Sequence, residues 1–327
     1  MQFLDTNIIP LGMGCWPIGG AMYSGDQPLG YTNVDDDESI RAVHAALAAG
    51  ITVFDTAAVY GAGHAERLLA RGLKGRVETL IVTKIGIAID EESKKLTGDE
   101  IEPESVLPAI ERCLSRLERD HIDLLLLHQN ELPIPQAEKI FDEMEKARQS
   151  GKIRYFGWST DFPENVVDVA DRPAFVTVEH AMNVLLDAPR MQEVIKDNGL
   201  TALIRSPLAM GLLSGKYGAD NVIPADDIRA TANPKTDYFI NAKANPAFLN
   251  KLDAIRELLT TDGRSLVQGA IGWIWAKGDI NIPIPGARTV EQIEGITAAL
   301  DYGALPAGVM AEIEKLIHTE DTPARAR

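Results

Sequence analysis

Cysteine is scarce in this sequence, which has only Cys15 and Cys113 among its 327 residues. Neither belongs to a C-x-x-C pair, and one bridge does not suggest the disulfide-stapled scaffold of a small secreted protein. No apolar run approaches the roughly 18 residues that a membrane-spanning helix needs. The N-terminal stretch MQFLDTNIIP lacks the cationic and long apolar regions of a signal peptide. These absences predict a cytoplasmic protein.

The sequence also has fewer basic residues than acidic ones. The chain has 32 Lys and Arg residues against 48 Asp and Glu residues, which gives a formal net charge of -16 and a pI of about 4.8. Such a chain repels phosphate backbones and anionic lipids. We therefore expect neither a nucleic-acid partner nor a membrane partner, and we predict no metal site.

Short apolar runs alternate with amphipathic stretches along the whole chain. Strands are predicted at 8–14, 51–55, 79–84, 122–128, 153–159, 175–179, 201–206 and 280–286. Helices are predicted at 36–50, 65–75, 104–120, 136–151, 164–171 and 188–199, with two more beyond residue 246. Strand–helix alternation implies parallel strands, and eight such units favour an α/β fold of the (β/α)8 TIM-barrel type over an open doubly wound sheet. We therefore predict one barrel domain over residues 1–327.

One segment departs from this alternation. From Lys216 to Asn245, after the seventh predicted strand, the chain is polar and irregular. A long irregular loop in a compact domain is usually functional or disordered. Two interpretations are open, a surface insertion and a lid over a ligand.

Polar side chains end the predicted strands. Asp55 ends the second strand, Lys84 the third and His128 the fourth, while Tyr60 lies in the loop after the second. The next three strands end in Ser159, Glu179, and the pair Arg205 and Ser206. In a TIM barrel the carboxyl ends of the strands form the active-site face. We therefore expect all of these side chains to meet at one rim.

Each residue taken singly has an ordinary explanation, such as a helix cap, a solvated charge or a core histidine. Together they form a set that can deliver a proton to a carbonyl oxygen. An ammonium such as that of Lys84 lowers the pKa of a neighbouring phenol, here Tyr60, from about 10 toward neutral pH. Asp55 would keep the lysine charged, and His128 would hydrogen-bond the substrate oxygen.

At this point the sequence closely resembles the aldo-keto reductase superfamily. The stretches that carry the resemblance are FDTAAVYGAGHAE, TLIVTKIG and CLSRLERDHIDLLLLH, and the likeness extends from LGMGCWPIGG to IPIPGARTVEQIE. The resemblance implies an oxidoreductase that reduces an aldehyde or ketone, or runs the reverse reaction. It also implies that Tyr60 is the general acid, that Lys84 and Asp55 tune it, and that His128 orients the carbonyl.

None of these four side chains can donate a hydride, so a nicotinamide cofactor is needed. The contacts that the resemblance implies for it are Ser159, Thr160, Glu179, Arg205, Ser206, Leu208, Gly211, Lys216, Gly286, Arg288 and Gln292. Arg288 falls beside the adenosine 2′ position, and a 2′-phosphate is bound by a cation. NADP(H) is therefore predicted over NAD(H).

The chain departs from the family's pattern at four of the cofactor positions. Thr160 stands in place of an Asn, Glu179 in place of a Gln, and Ile296 in place of an Asn that contacts adenine. Arg205 stands where many members stack an aromatic ring on the nicotinamide. These departures leave the four catalytic residues intact and bear on cofactor geometry and affinity.

The substrate is expected to be a small carbonyl or sugar-like molecule. Trp16 and Tyr23 are the predicted pocket residues, and Trp158 and either Tyr238 or Phe239 are further candidate walls. Two other functions are open. Some relatives are slow cofactor-binding regulatory or redox-sensing modules, and a Schiff-base aldolase could use Lys84 on the same fold.

Overall fold

The computed structural model describes residues 1–225, 227–230 and 238–317. Its central feature is a sheet of eight parallel strands, numbered here β1 to β8 in chain order. They are Gly12–Gly14 (β1), Val53–Asp55 (β2), Leu80–Ile85 (β3), Ile122–Leu127 (β4), Ile153–Ser159 (β5), Phe175–Ala181 (β6), Thr201–Arg205 (β7) and Asn281–Pro283 (β8). Each strand pairs with the next one in sequence. The predicted (β/α)8 architecture is confirmed.

A glycine contact brings the first and last strands together. Gly14 forms a parallel bridge with Gly286, and its N–H donates to the carbonyl of Pro285 at 3.0 Å. A Cβ atom on Gly14 would lie 2.6 Å from the carbonyl oxygen of Ile284, so a side chain there would push the strands apart. The sheet is thereby a nearly closed barrel.

Helices cover the outside of the barrel. They are Asp36–Ala48 (α1), His64–Gly72 (α2), Pro103–Leu117 (α3), Ile134–Gln149 (α4), Pro163–Val167 (α5), Pro189–Asp197 (α6), Pro246–Leu259 (α7), Leu266–Lys277 (α8), Val290–Thr297 (α9) and Ala307–Ile317 (α10). Several begin on local signals. The side chain of Asp35 accepts from the N–H of Glu38 at the start of α1, and Ser265 and Gln268 form a capping box on α8.

The side chains of β3 alternate between two cores. Leu80 and Val82 pack inside the barrel, whereas Ile81 and Ile85 pack outward against the helices. Lys84 follows the inward register. An antiparallel hairpin of Gln2–Phe3 and Thr6–Asn7 adds Phe3, Leu4 and Ile8 to the interior core. The interior is therefore filled by side chains.

The structure corrects some predicted element bounds. The helix predicted at 164–171 ends at Val167, and turns follow it before Pro173, which restricts the residue that precedes it. Among the described residues, four α-helices, not two, lie from residue 246 onward. A small sheet of Tyr23–Ser24, Gln27–Pro28, Ile87–Asp90 and Lys95–Asp99 was not predicted. Its short strands lack a long alternating pattern.

The segment from Lys216 to Asn245 is only partly irregular. It contains a short 3-10 turn at Ile228–Ala230 and a hairpin of Phe239–Ile240 with Lys243–Ala244. Residues 226 and 231–237 of the predicted lid lie outside the described part of the chain.

Candidate active site

The innermost part of the rim is an ion pair between neighbouring strands. Lys84 on β3 points into the barrel, and its Nζ donates to Asp55 Oδ1 on β2 at 2.6 Å. The same ammonium donates to the carbonyl oxygen of Thr56 at 2.9 Å. Lys84 is 1% exposed and Asp55 is 3% exposed, so the pair is removed from solvent. Such a charge is tolerated inside a protein only when it is paired and hydrogen-bonded.

Tyr60 lies above this ion pair in the loop after β2. Lys84 Nζ is 5.2 Å from the centre of the Tyr60 ring. His128, directly after β4, faces Tyr60 edge-on with the ring centroids 6.3 Å apart. Both aromatic side chains are half-buried. The structure thus brings together the four residues that the sequence predicted to be catalytic.

The protonation of Tyr60 differs from the sequence-based expectation. Burial raises the pKa of Tyr60 above its ordinary value. Lys84 acts in the predicted direction and lowers this pKa, but Asp55 and Glu179 raise it and partly cancel the lysine. The expectation of a lowered phenol pKa is therefore wrong, because burial raises the pKa of Tyr60 and the opposing ammonium is shared with two carboxylates. Tyr60 is held as a protonated phenol.

Lys84 is held as an ammonium. Burial alone would lower the pKa of Lys84, but the carboxylates of Asp55 and Glu179 outweigh it and raise that pKa well above its usual range. A Schiff-base aldolase needs a neutral amine as its nucleophile. This environment therefore disfavours the aldolase interpretation.

Glu179 on β6 joins the same group of charges. Its Oε1 accepts a hydrogen bond from Ser159 Oγ at 3.4 Å, and its Oε2 lies 3.1 Å from Lys84 Nζ. The ammonium is not aligned to donate to Oε2, and no other described residue donates to this atom, although Glu179 is only 1% exposed. A buried carboxylate oxygen therefore has unused acceptor capacity facing the rim.

Arg205, at the end of β7, has a partner that sequence reasoning missed. Its Nη2 forms an ion pair with Asp161 Oδ2. The other carboxylate oxygen of Asp161 accepts from the backbone N–H of Ala181 at 2.9 Å. Asp161 comes two residues after the strand-ending Ser159, and no pattern in the sequence links it to Arg205. The guanidinium at the rim is thus neutralised by a carboxylate.

Thr160 does not face the rim. Its side chain is fully buried, and its hydroxyl donates to the carbonyl of Asn130 at 2.7 Å and accepts from the N–H of Phe162 at 3.1 Å. The hydroxyl therefore ties the loop after β5 to the loop after β4. The geometry does not present it as a cofactor contact.

Two candidate pocket walls are core residues. Trp158 is fully buried, packs edge-on against Phe141 and donates to the carbonyl of Gln129 at 2.7 Å. Tyr238 is 2% exposed, and its hydroxyl accepts from Asn183 Nδ2 at 2.8 Å. Their interpretation as pocket walls is wrong, because both side chains are used in packing.

Trp16 does line the space next to Tyr60. The two rings are stacked with their centroids 6.2 Å apart, and the indole donates to the carbonyl of Leu29 at 3.2 Å. Tyr31 packs edge-on against Trp16 at 5.3 Å and is a wall residue that sequence reasoning missed. Tyr23 lies instead in the small four-stranded sheet, paired with Pro28 and Lys95.

The loop after β7 has a tight backbone and reaches across the rim. Ser206 and Gly211 have φ angles of 55° and 95°, in the left-handed region, and Leu208 and Lys216 lie on the same loop. Further along, Arg229 forms an ion pair with Asp227, and its guanidinium lies 4.9 Å from the Tyr217 ring centroid and 5.6 Å from that of Tyr31. Phe239 packs edge-on against Tyr217 at 5.2 Å. The predicted lid segment is thereby attached to the segment between β1 and α1.

The loop after β8 presents Gly286, Arg288 and Gln292. The side chain of Gln292 accepts from the backbone N–H of Arg288 at 2.9 Å, and Arg288 Nη1 donates to the carbonyl of Thr32 at 3.2 Å. Glu38 on α1 is a neighbour that sequence reasoning missed, since its Oε1 accepts from the N–H of Val290 at 3.1 Å. Ile296 is buried on α9 and belongs to the core.

Comparison with known proteins identifies the family. The profile of the Aldo/keto reductase family matches residues 10–318, which is nearly the whole chain. The chain belongs to the aldo/keto reductase family. The family and its fold imply carbonyl oxidoreduction.

Three proteins of the comparison are similar to this aldo-keto reductase over most of their length. Aldo-keto reductase YhdN of Bacillus subtilis (strain 168) is 29% identical over 297 residues, which cover 88% of this chain and 83% of the relative. Aldo-keto reductase yakc of Schizosaccharomyces pombe, whose name carries NADP(+), is 29% identical over 321 residues, with 92% and 85% covered. The solved glycerol dehydrogenase of Gluconobacter oxydans superposes with a TM-score of 0.80 at 27% identity, covering 99% of this chain and 96% of that one.

The rim of this aldo-keto reductase fits a nicotinamide cofactor. Glu179 Oε2 is a buried acceptor that no hydrogen bond from the described residues satisfies, and Ser159 lies beside it. The loop from Ser206 to Gly211, in which Ser206, Ala209, Met210 and Gly211 have left-handed φ angles, lies at the same end of the barrel. Arg288 stands on the adjacent loop. The rim thus has a buried polar part at Glu179 and Ser159 and a basic part at Arg288. Such a site suits a long anionic ligand that carries an amide on a ring.

The two cysteines, possible metal sites and possible membrane-spanning helices were also addressed by the sequence-based expectations. Cys15 and Cys113 are both buried and unbridged, and burial raises the pKa of both thiols. Such thiols are poor redox sensors because the thiolate is the reactive form. Within residues 1–225, 227–230 and 238–317, no group of three or more His, Cys, Asp or Glu side chains is arranged to hold a metal ion. In the same ranges no helix is long and apolar enough to cross a membrane.

Proposed function

We propose that this aldo-keto reductase interconverts a small aldehyde or ketone and the corresponding alcohol, as a single barrel domain in the cytoplasm, with Tyr60 as the proton donor. The observation that carries the proposal is the position of Tyr60. Its ring lies over a buried ammonium, 5.2 Å from Lys84 Nζ, and opposite His128 across the mouth of the barrel. A phenol in this position can donate to an oxygen atom in the pocket.

A nicotinamide cofactor bound at the rim would supply the hydride for the carbonyl carbon. The hydroxyl of Tyr60 gives its proton to the carbonyl oxygen as negative charge develops there, which leaves a phenolate. Lys84 stabilises this phenolate electrostatically, and Asp55 holds the ammonium in place at 2.6 Å. His128 donates a hydrogen bond to the same oxygen. The phenolate then recovers a proton from solvent.

Trp16 and Tyr31 form an apolar wall beside Tyr60, and Arg205 and Asp161 are polar groups at the same end of the barrel. This lining suits a compact substrate with polar groups, such as a small carbonyl or sugar-like compound. The glycerol dehydrogenase among the similar structures supports that class. The described part of the segment after β7 that carries Tyr217 and Arg229 serves as the lid, through the contacts of Arg229 with Tyr31 and Tyr217.

The experiment that tests the reaction is NADPH oxidation against a panel of small aldehydes, ketones and sugars. Wild-type protein should turn over at least one class, and Tyr60→Phe should lose about 10²–10⁴-fold in kcat because only the transferable proton is removed. The dissociation constant for NADPH, measured by tryptophan fluorescence, should stay nearly unchanged. If the Phe variant kept more than about half of the activity, Tyr60 would not be the acid.

For the cofactor we propose NADP(H) over NAD(H), with Arg288 as the determinant. Arg288 is half-buried on the loop after β8, and Glu38, the nearby carboxylate, is engaged by Arg41 at 2.5 Å and by the N–H of Val290. The NADP(+) in the name of yakc supports this preference. A charge-assisted contact with a 2′-phosphate contributes roughly 1.5–3 kcal/mol, which is about tenfold to a hundredfold in affinity.

Arg288→Ala should therefore weaken NADPH by about tenfold to a hundredfold and leave NADH almost unaffected. Arg288→Lys is the matched control, since it keeps the charge and should retain most of the preference. Dissociation constants of both cofactors for the three proteins check this. Equal losses for NADPH and NADH, or a wild type that prefers NADH, would refute the assignment.

A further inference from the structure

The charges at the rim do not balance. Two cations, Lys84 and Arg205, face three carboxylates, Asp55, Asp161 and Glu179. Each cation already has one close carboxylate, because Lys84 donates to Asp55 at 2.6 Å and Arg205 forms an ion pair with Asp161. The third carboxylate, that of Glu179, is left without a cation of its own.

The contacts of Glu179 are weaker than those of the other two carboxylates. Oε1 receives one long hydrogen bond of 3.4 Å from Ser159, and Oε2 lies 3.1 Å from Lys84 Nζ without an aligned hydrogen bond. Burial and the charge of Glu179 together raise the pKa of Asp55, as expected where negative charge exceeds positive charge. A carboxylate that is 1% exposed and incompletely compensated is stabilised by any further cation that enters the site.

The proposed reaction brings such a cation to this place. The hydride and the proton of Tyr60 go to adjacent atoms of one carbonyl group, so the hydride donor must lie beside Tyr60. Glu179 shares Lys84 with Tyr60 and raises the pKa of Tyr60, which places its charge at the same centre. The nicotinamide ring is neutral when reduced and carries a positive charge when oxidised.

We propose that Glu179 is a specificity-determining residue that makes this site bind the oxidised cofactor more tightly than the reduced one. The inference rests on the proposed function, because it requires a nicotinamide at the rim. Arg205 does not cancel the effect, since Asp161 compensates its charge. Two opposite unit charges a few ångströms apart in a partly desolvated site change affinity by roughly tenfold to a hundredfold.

The test is a set of dissociation constants for NADP⁺ and NADPH, measured by isothermal titration calorimetry without substrate. Wild-type protein should bind NADP⁺ more tightly than NADPH. In Glu179→Gln, which keeps the shape and removes the charge, the ratio of the two constants should shift toward NADPH by about tenfold or more. Glu179→Asp keeps the charge and should keep the direction of the preference.

Glu91→Gln is the matched control for the loss of one negative charge. Glu91 pairs with Arg116 outside the barrel, so its removal should leave the ratio of the two constants unchanged. A wild type that binds NADPH as tightly as NADP⁺ or more tightly would overturn the inference, and this result needs no variant. A Glu179→Gln variant that weakens both forms equally would also overturn it, while the reductase function stands. A wild type that binds neither form would overturn the inference and the proposed function together.

Discussion

Two clusters of charge lie on opposite faces of the same barrel strand, and in each a buried cation pairs with two carboxylates. The inner cluster consists of Lys84, Asp55 and Glu179, and the outer cluster consists of Arg116, Glu66 and Glu91. They meet at consecutive residues of β3. Lys84 points into the barrel, while Thr83 points outward and its hydroxyl donates to Glu66 Oε1 at 2.6 Å.

The clusters differ in how completely their hydrogen bonds are made. In the outer cluster Arg116 donates to Glu66 at 2.5 Å, to Glu91 at 3.1 Å and to the thiol of Cys113 at 3.3 Å. In the inner cluster Glu179 Oε2 has no hydrogen-bond donor in the described part of the chain. The outer cluster therefore connects α2 and α3 to the barrel, whereas the inner cluster keeps an unused hydrogen-bond acceptor.

The largest effect is expected from Lys84→Met. Loss of the ammonium leaves two buried carboxylates without a cation, which should lower the free energy of unfolding by about 3–5 kcal/mol. It also removes the charge that stabilises the Tyr60 phenolate, so kcat for carbonyl reduction should fall by at least about 100-fold. Urea unfolding and steady-state kinetics measure the two effects.

Lys146→Met is the control for this change. Lys146 is exposed on α4 and pairs with Glu143 three residues away, so its loss should cost less than about 1 kcal/mol and leave kcat intact. A Lys84→Met protein with wild-type activity would contradict the expectation that the inner cluster, unlike the outer one, serves catalysis.

Arg116→Met should affect stability alone. Glu66 would remain fully buried with no cation beside it, which should cost about 3–5 kcal/mol. Activity per folded molecule should stay within about twofold of wild type, because Arg116 forms its ion pairs outside the barrel, with Glu66 and Glu91. Arg112→Met on the same helix is the matched control, since Arg112 is half-exposed with Glu100 as its partner and should matter little. A large fall in kcat of folded Arg116→Met would show that the outer cluster also serves catalysis.

The smallest expected effect is on the pH dependence of stability. One carboxylate from each cluster should contribute to it, and the two contributions should change with pH in opposite directions. Burial, with the charge of Glu179, raises the pKa of Asp55, whereas Arg67 and Arg116 outweigh burial and lower the pKa of Glu91. The contribution of Asp55 to stability is therefore complete below about pH 3.9 and is lost as the pH rises through its folded-state pKa. The contribution of Glu91 to stability is present above about pH 4.3 and is lost as the pH falls through the folded-state pKa of Glu91.

Carboxyl-carbon NMR titration of the folded protein checks these directions. Asp55 should titrate above its ordinary value and Glu91 below its own, which reverses their usual order. In Lys84→Met the lost stability should partly return in acid, because the unpaired carboxylates can then take up protons. An Asp55 that titrates at or below about 3.9 would contradict the excess of negative charge in the inner cluster.

The sequence anticipated the residues of the inner cluster and nothing of the outer one. Asp55, Lys84 and Glu179 end strands, and strand ends of a parallel barrel meet at one rim whatever the details of packing. Glu66 and Arg116 lie on helices with ordinary amphipathic patterns, 50 residues apart, so no periodicity pairs them. For the same reason the sequence did not predict the partners of Arg205 and Arg288, which lie 44 and 256 residues away in sequence.

By itself, the sequence determined the alternation of strands and helices, the barrel and the four polar residues at its mouth, because these follow from local patterns and the geometry of parallel strands. The tertiary structure alone decided that Thr160 and Trp158 turn away from the rim, that Tyr31 joins Trp16, and that Tyr60 stays a protonated phenol. Side-chain direction in loops and the pKa of a buried group depend on all neighbouring charges and on desolvation. Those neighbours come from distant parts of the chain and are assembled only when the barrel closes.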